Sequence, residues 1–201
     1  MKVRGIAILC LLALSAPVAA QNQKVDGTPP GEAEMMAAMM KAGEPGENHK
    51  HLGRMAGDWE YTSKMWMAPG QAPEESKGTM HGEMLMGGRY LQHHWKGNMM
   101  GMPFEGLGTE GYDNTTKKFM SNWIDNMGTG MMTSTGTCDA AGKVCTMTGD
   151  MADPMSGENV TTKMVITWAD NDHFKNEMYG KDPASGNEMK MMEINASRKK
   201  K

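Results

Sequence analysis

The segment Asn159-Val160-Thr161-Thr162-Lys163-Met164-Val165-Ile166-Thr167-Trp168 sets Val160, Thr162, Met164, Ile166 and Trp168 on one side of an extended chain, with Asn159, Thr161, Lys163, Val165 and Thr167 on the other. A two-residue period rich in β-branched residues is the pattern of a strand with one buried face. Turn formers bracket it: Asp153-Pro154-Met155-Ser156-Gly157 before, Asn171-Asp172 after. The same texture repeats outward in both directions. Strands are expected at 58–67, 76–86, 89–99, 104–112, 117–126, 130–138, 143–151, 158–169, 172–181 and 187–197. Between them stand Ala68-Pro69-Gly70, Gly87-Gly88, Gly101-Met102-Pro103, Asp113-Asn114-Thr115 and Asp182-Pro183-Ala184-Ser185-Gly186. In the first strand Trp59, Tyr61, Met65 and Met67 share a face with Ser63. About ten evenly spaced strands on hairpin-length loops, with no helix between them, predict an all-β fold. The architecture they fit is an antiparallel up-and-down barrel over residues 57–198.

The segments before the barrel read differently. Lys2 and Arg4 precede the apolar run Ile6 to Leu14, and Val18-Ala19-Ala20 supplies small residues for cleavage. Residues 1–20 are therefore read as a signal peptide. Cys10 lies inside the apolar run, a poor position for a lipid anchor. Residues 21–31, ending Thr28-Pro29-Pro30-Gly31, read as a flexible leader. Residues 32–56 read as short helices, Glu32–Ala42 stopped by Gly43 and Glu47–Met55 stopped by Gly57. Lys199-Lys200-Lys201 form a basic tail. Export predicts a periplasmic or secreted protein with no stable membrane span after cleavage. It also fits a disulfide between Cys138 and Cys145, which flank the turn-rich Asp139-Ala140-Ala141-Gly142-Lys143-Val144 of a hairpin, the alternatives being a thiol metal site or a redox pair.

Composition narrows the function classes. The 201 residues carry a formal charge of −3 and a mean hydropathy of −0.57, which argues against a polytopic membrane protein and a nucleic-acid binder. Methionine is the anomaly, at 26 residues. Past residue 20 there are 25 methionines against 11 leucines, isoleucines and valines. Most fall within expected strands or helices, so methionine is read chiefly as packing material.

Longer runs carry a resemblance. Leu85-Met86-Gly87-Gly88-Arg89-Tyr90-Leu91, Phe104-Glu105-Gly106-Leu107-Gly108, Gly111-Tyr112-Asp113-Asn114 and Trp123-Ile124-Asp125-Asn126-Met127-Gly128-Thr129-Gly130 resemble the bacterial family called domain of unknown function 1579, over roughly His49 to Arg198. That resemblance implies a lipocalin-like barrel and no established activity. Gly57-Asp58-Trp59 with Arg198 is similar to the pairing in lipocalin-like (calycin) barrels, in which a cation covers a tryptophan at the closed end.

Candidate chemistry is sparse. His49 and His51 lie two apart on a helix, and His93 and His94 are adjacent on a strand, so each pair diverges. No H-x-x-x-H, H-E-x-x-H or Cys/His ligand spacing points to zinc. A haem would need an inward axial histidine. The strand candidates His81, His93, His94 and His173 read instead as surface or capping residues. No G-x-S-x-G or Ser–His–acid trio is present, and Asp113 and Asp125 read as turn caps. A barrel this wide suggests a cavity for a small hydrophobic molecule, lined by Trp59, Trp95, Trp123 and Met84. No cofactor follows from these motifs. The alternative is copper(I) on the thioethers of Met35, Met36, Met39 and Met40, or of Met99, Met100 and Met102. The ordinary reading of the first of these stripes is a helix face docked on the barrel.

Overall fold

The computed structural model describes residues 31–153, 156–182 and 184–200. The expected signal peptide, the leader before Gly31 and Lys201 lie outside the described residues. Two helices, α1 (Glu32–Ala42) and α2 (Glu47–Leu52), and a 3-10 turn (Gly53–Met55) precede ten strands. These are β1 (Gly57–Met65), β2 (Glu74–Leu85), β3 (Tyr90–Met99), β4 (Met102–Asp113) and β5 (Lys118–Asp125). β6 (Met132–Cys138), β7 (Val144–Ala152), β8 (Asn159–Trp168), β9 (His173–Lys181) and β10 (Glu188–Arg198) complete the set. Each strand pairs antiparallel with its neighbours in sequence, and β1 pairs β10 to close the barrel. Among the described residues no sheet edge remains unpaired, which removes the usual route to edge-to-edge association.

The strand bounds fall within two residues of those expected, and the differences are physical. β4 begins before Pro103 rather than after it. Met100 and Gly101 both adopt positive φ, 52° and 76°, forming a two-residue turn whose twist suits a hairpin. Pairing therefore resumes at Met102, and Pro103 sits opposite Asn98 near the strand end.

Along β8, Thr162, Met164 and Trp168 are buried and Ile166 packs against the core, so the alternation that signalled a strand is its inner face. The inner wall of β2, β3 and β4 carries glycines on which aromatic rings lie flat. A Cβ at Gly108 would stand 2.1 Å from His93 Cε1, and one at Gly106 2.3 Å from Trp123 Cζ2. Tyr61 covers Gly78 and Gly97 in the same way. Rings thus occupy space that a barrel of this width would otherwise leave open.

The structure corrects two readings of methionine. Met55, Met80, Met147 and Met164 are buried. Exposed methionines outnumber them, and include Met67, Met86, Met100, Met102, Met120, Met127, Met131 and Met151. Much of the thioether is surface, because an unbranched side chain of intermediate polarity is tolerated there. Nor is α1 docked by its methionine stripe. None of its residues is buried, and Met35, Met36, Met39 and Met40 are 52%, 55%, 70% and 71% exposed. Its C-terminal end is tied down instead. Arg89 Nε donates to the Gly43 carbonyl (2.9 Å), and Asn114 Nδ2 donates to those of Ala42 (3.0 Å) and Glu44 (2.8 Å).

Candidate functional site

The two ends of the barrel differ. At the end where β1 begins and β10 finishes, α2 and the 3-10 turn form a plug, with Leu52 and Met55 buried. Trp59 is wholly buried, and its indole N–H donates to the Met55 carbonyl (3.0 Å). The Arg198 guanidinium lies 4.2 Å from the Trp59 ring centroid. It donates to the carbonyls of Ala56 (2.6 Å), Arg54 (2.7 Å) and Asn171 (3.0 Å), and to Asp172 Oδ1 (2.9 Å). Arg54 repeats the arrangement 4.1 Å over Trp168, donating to the carbonyls of Gly142 (3.1 Å) and Asp170 (3.2 Å). Two cations on two ring faces, each pinned to backbone, latch the plug onto four chain segments.

The Cys138–Cys145 disulfide joins directly opposed residues of β6 and β7 beside this plug. His51 Nε2 lies 3.4 Å from Cys145 Sγ and 3.8 Å from Cys138 Sγ. Burial, reinforced by the nearby Arg54 cation, lowers the His51 pKa, so the ring is neutral at pH 7. A polar cleft of about 380 Å³ opens over it, lined by Glu47, His51, Lys117, Cys138, Asp139 and Gly142. Behind it a small space of about 30 Å³ is bounded by His51, Leu52, Glu110, Phe119, Cys145 and Trp168, room for about one water.

Deeper in the barrel a buried polar chain begins. Trp95 Nε1 donates to His93 Nδ1 (2.7 Å), which leaves the proton on Nε2, 3.3 Å from Glu110 Oε1. Both ring nitrogens of His93 are thereby engaged. Rings then run along the wall toward the other end, with His93 stacked on Trp123 (6.1 Å, 29°) and Trp123 on Phe104 (6.4 Å, 21°). Asp125 Oδ2 accepts from the Trp123 indole N–H (2.8 Å) and fixes that ring.

The far end has no helix over it among the described residues. Inner-face side chains there are incompletely covered: Phe104, Trp123, Met132, Met178 and Met192 pack against the core yet are half-buried. At the rim Met151 and Val160, cross-strand partners on the inner face, are 43% and 40% exposed. Below them Thr162 is 3% exposed, and its hydroxyl oxygen has no hydrogen-bond partner among the described residues. Among the described residues, this end is an apolar mouth with two unsatisfied polar atoms inside, the Thr162 hydroxyl and, deeper on β9, the Asn176 amide oxygen.

The residues singled out from the sequence separate accordingly. Trp59 is in the latch, and Met84 lies against the plug at Gly53. Trp95 is core, and Trp123 belongs to the ring ladder that leads to the mouth. Met100 and Met102 occupy the β3–β4 hairpin at the mouth end, whereas α1 is tied down at the plug end. His81, His94 and His173 are surface residues paired with Asp58, Glu105 and Asp170. His93 corrects the surface reading, since it points inward and is buried. Asp113 caps the β4–β5 turn by accepting from the Thr116 hydroxyl and from the amides of Thr115 and Thr116, which lowers its pKa. His51 and Glu110 were not singled out for the inner site. Their signal is spatial, because the plug brings His51 to a hairpin 87 residues away in sequence.

Fold and site together define a closed ten-stranded lipocalin-like barrel with one plugged and one open end. The chain belongs to the protein family of unknown function DUF1579, whose model matches residues 44–198. No curated protein matches the sequence. Among solved structures it is similar to Rv2717c of M. tuberculosis, at 12% identity over 78% of this chain and 100% of that one, with a TM-score of 0.55. It is also similar to the S-type phycobiliprotein lyase CPES of Guillardia theta, at 9% identity over 81% and 97%, with a TM-score of 0.54. These likenesses establish the barrel. No helix among the described residues is long and apolar enough to cross a membrane.

Proposed function

We propose that the protein is an exported, periplasmic or secreted, binder of a small flat hydrophobic molecule, which enters the barrel at the end opposite the helices. The observation that carries this reading is the exposure of inner-face apolar side chains at that mouth, Met151 and Val160 above all. An inner face is built to be covered, and apolar surface left in water there is relieved by a ligand at about 25 cal/mol per Å². The Phe104–Trp123–His93 ladder favours a flat molecule, which continues the stack. Thioethers on the opposite wall adapt to its outline. The unpaired Thr162 hydroxyl supplies one hydrogen bond to a polar substituent or a bridging water. Export rests on the amino-terminal pattern of Lys2, Arg4 and Val18-Ala19-Ala20, and a disulfide agrees with it. The test is titration with a fluorescent naphthylamine probe. Saturable binding is expected, and Met151→Arg or Val160→Arg should abolish it without lowering the melting temperature. Unsaturable binding, or binding indifferent to both variants, counts against the mouth.

A second reading has its own observation. The stripe of Met35, Met36, Met39 and Met40 is held in solvent on an undocked helix, so its sulfurs are free to bind copper(I). Titration with copper(I) against a variant carrying leucine at all four positions tests it. Equal affinity in the two proteins ends the idea.

A further inference from the structure

The contact between His51 and the Cys138–Cys145 bridge is more than a structural staple requires. A cross-strand disulfide at a hairpin end needs no third polar partner, yet three potential ligand atoms, His51 Nε2 and the two Sγ, lie within 4.8 Å of one another. His51 is held there by the edges of Phe119 (centroids 5.8 Å apart) and Trp168 (6.2 Å). Gly142, at φ 63°, clears the approach on the other side, because a Cβ there would stand 3.0 Å from His51 Nδ1. Ligand bonds of about 2.1 Å to nitrogen and 2.3 Å to sulfur place donors roughly 3.6–3.8 Å apart around one metal ion. The nitrogen-to-sulfur distances of 3.4 and 3.8 Å already have that span. Only the sulfurs must separate, and they do so when their bond opens.

We propose that reduction of the Cys138–Cys145 bridge converts the plugged end into a three-donor site for one soft cation, with Cys138 Sγ, Cys145 Sγ and His51 Nε2 as ligands. Two thiolates and an imidazole select Cu(I) or Zn(II) over hard ions. The cleft of about 380 Å³ gives the ion a route from solvent to His51 and Cys138. The space of about 30 Å³ behind, which Glu110 also lines, leaves an open position for a water. The electrons come from a dithiol reductant. Its thiolate attacks one cysteine sulfur, the S–S bond breaks, and the mixed disulfide is resolved by the second thiol. The reductant leaves as a disulfide, and two cysteine thiols remain. The incoming cation then displaces one proton from each thiol. The site is closed while the bridge is oxidised and open once it is reduced.

The test uses the full chain with Met35, Met36, Met39 and Met40 replaced by leucine, so that the helix sulfurs do not contribute. Cu(I) and Zn(II) are competed against chromophoric chelators before and after reduction with a phosphine. The reduced protein should take up one equivalent at least about a hundredfold more tightly than the oxidised protein, and gain melting temperature on loading. His51→Gln should weaken that uptake by about tenfold or more, and the Cys138→Ser, Cys145→Ser variant should abolish it. Co(II) should give a thiolate charge-transfer band in the reduced protein only. Equal uptake in both redox states, affinity indifferent to His51→Gln, or loss of the folded circular-dichroism spectrum on reduction each overturns the proposal. Its failure leaves the mouth and the methionine helix untouched, since neither contributes a ligand.

Discussion

Replacing Arg198 by alanine should loosen the plugged end more than any other change to a partly exposed side chain. Its guanidinium covers the buried Trp59 ring at 4.2 Å and donates to the carbonyls of Ala56 and Arg54 at 2.6 and 2.7 Å. A cation over a desolvated indole contributes about 1–2 kcal/mol. Two charge-assisted hydrogen bonds to part-buried carbonyls contribute about 1–1.5 kcal/mol each, at the low end because the side chain is 29% exposed. The Asp172 pair adds little, since that carboxylate is 63% exposed. The expected loss is about 3–5 kcal/mol, a fall in melting temperature of about 6–20 °C for a chain of this size. Arg198→Lys keeps a charge near the ring but not the fork that reaches both carbonyls, so it should recover less than half. Thermal unfolding followed by circular dichroism gives the number, and hydrogen exchange at the Trp59 indole shows whether the plug opens. A fall below about 2 °C in the alanine variant would refute the latch.

On the outer face, Glu177 and Glu193 are direct cross-strand partners, and Lys190 bridges them at 2.5 and 2.7 Å. Its hydrogen bonds hold both carboxyls below their usual value of 4.5. Their stabilisation is therefore complete above that pH and lost as pH falls through the lowered values. Lys190→Met should cost about 1–2 kcal/mol at neutral pH, and the deficit should shrink in denaturant melts below pH 4.5. Gly136→Ala sets a Cβ 1.9 Å from the Thr146 carbonyl oxygen, which is backbone and cannot turn aside. A loss of about 3 kcal/mol in chemical unfolding is expected. Removing α1 should leave the barrel's melting temperature within about 2 °C of the intact chain, because none of its residues is buried.

Much of the barrel could be read from local pattern. The alternation from Val160 to Trp168 marked an inner face, because a strand with one buried side repeats every two residues. Cys138 and Cys145 flanked a turn-rich loop that, closed as a hairpin, sets them opposite each other, as they stand in β6 and β7. Other features depend on which way identical residues point. His93 and His94 are chemically alike; His93 shares the inner face of Leu91 and Trp95, and the bare backbone of Gly108 gives its ring room. Methionine density misled for a related reason, since a thioether is tolerated in water and in the core, and count alone does not assign a face. The stripe on α1 looked ready to dock, yet all four of its methionines are exposed. The His51–disulfide contact was hidden because it depends on how the plug sits in the barrel end, a tertiary relation with no local spacing.

The open, apolar mouth is the centre of the functional account, and the methionines that ring it are its natural reporters. Methyl spectra of the isotope-labelled protein, recorded as the naphthylamine probe is added, should move the signals of Met132, Met151, Met178 and Met192 together and to saturation. Those of Met35, Met36, Met39 and Met40 should stay still. Shifts confined to the helix methionines, or none at the mouth at saturating probe, would contradict it.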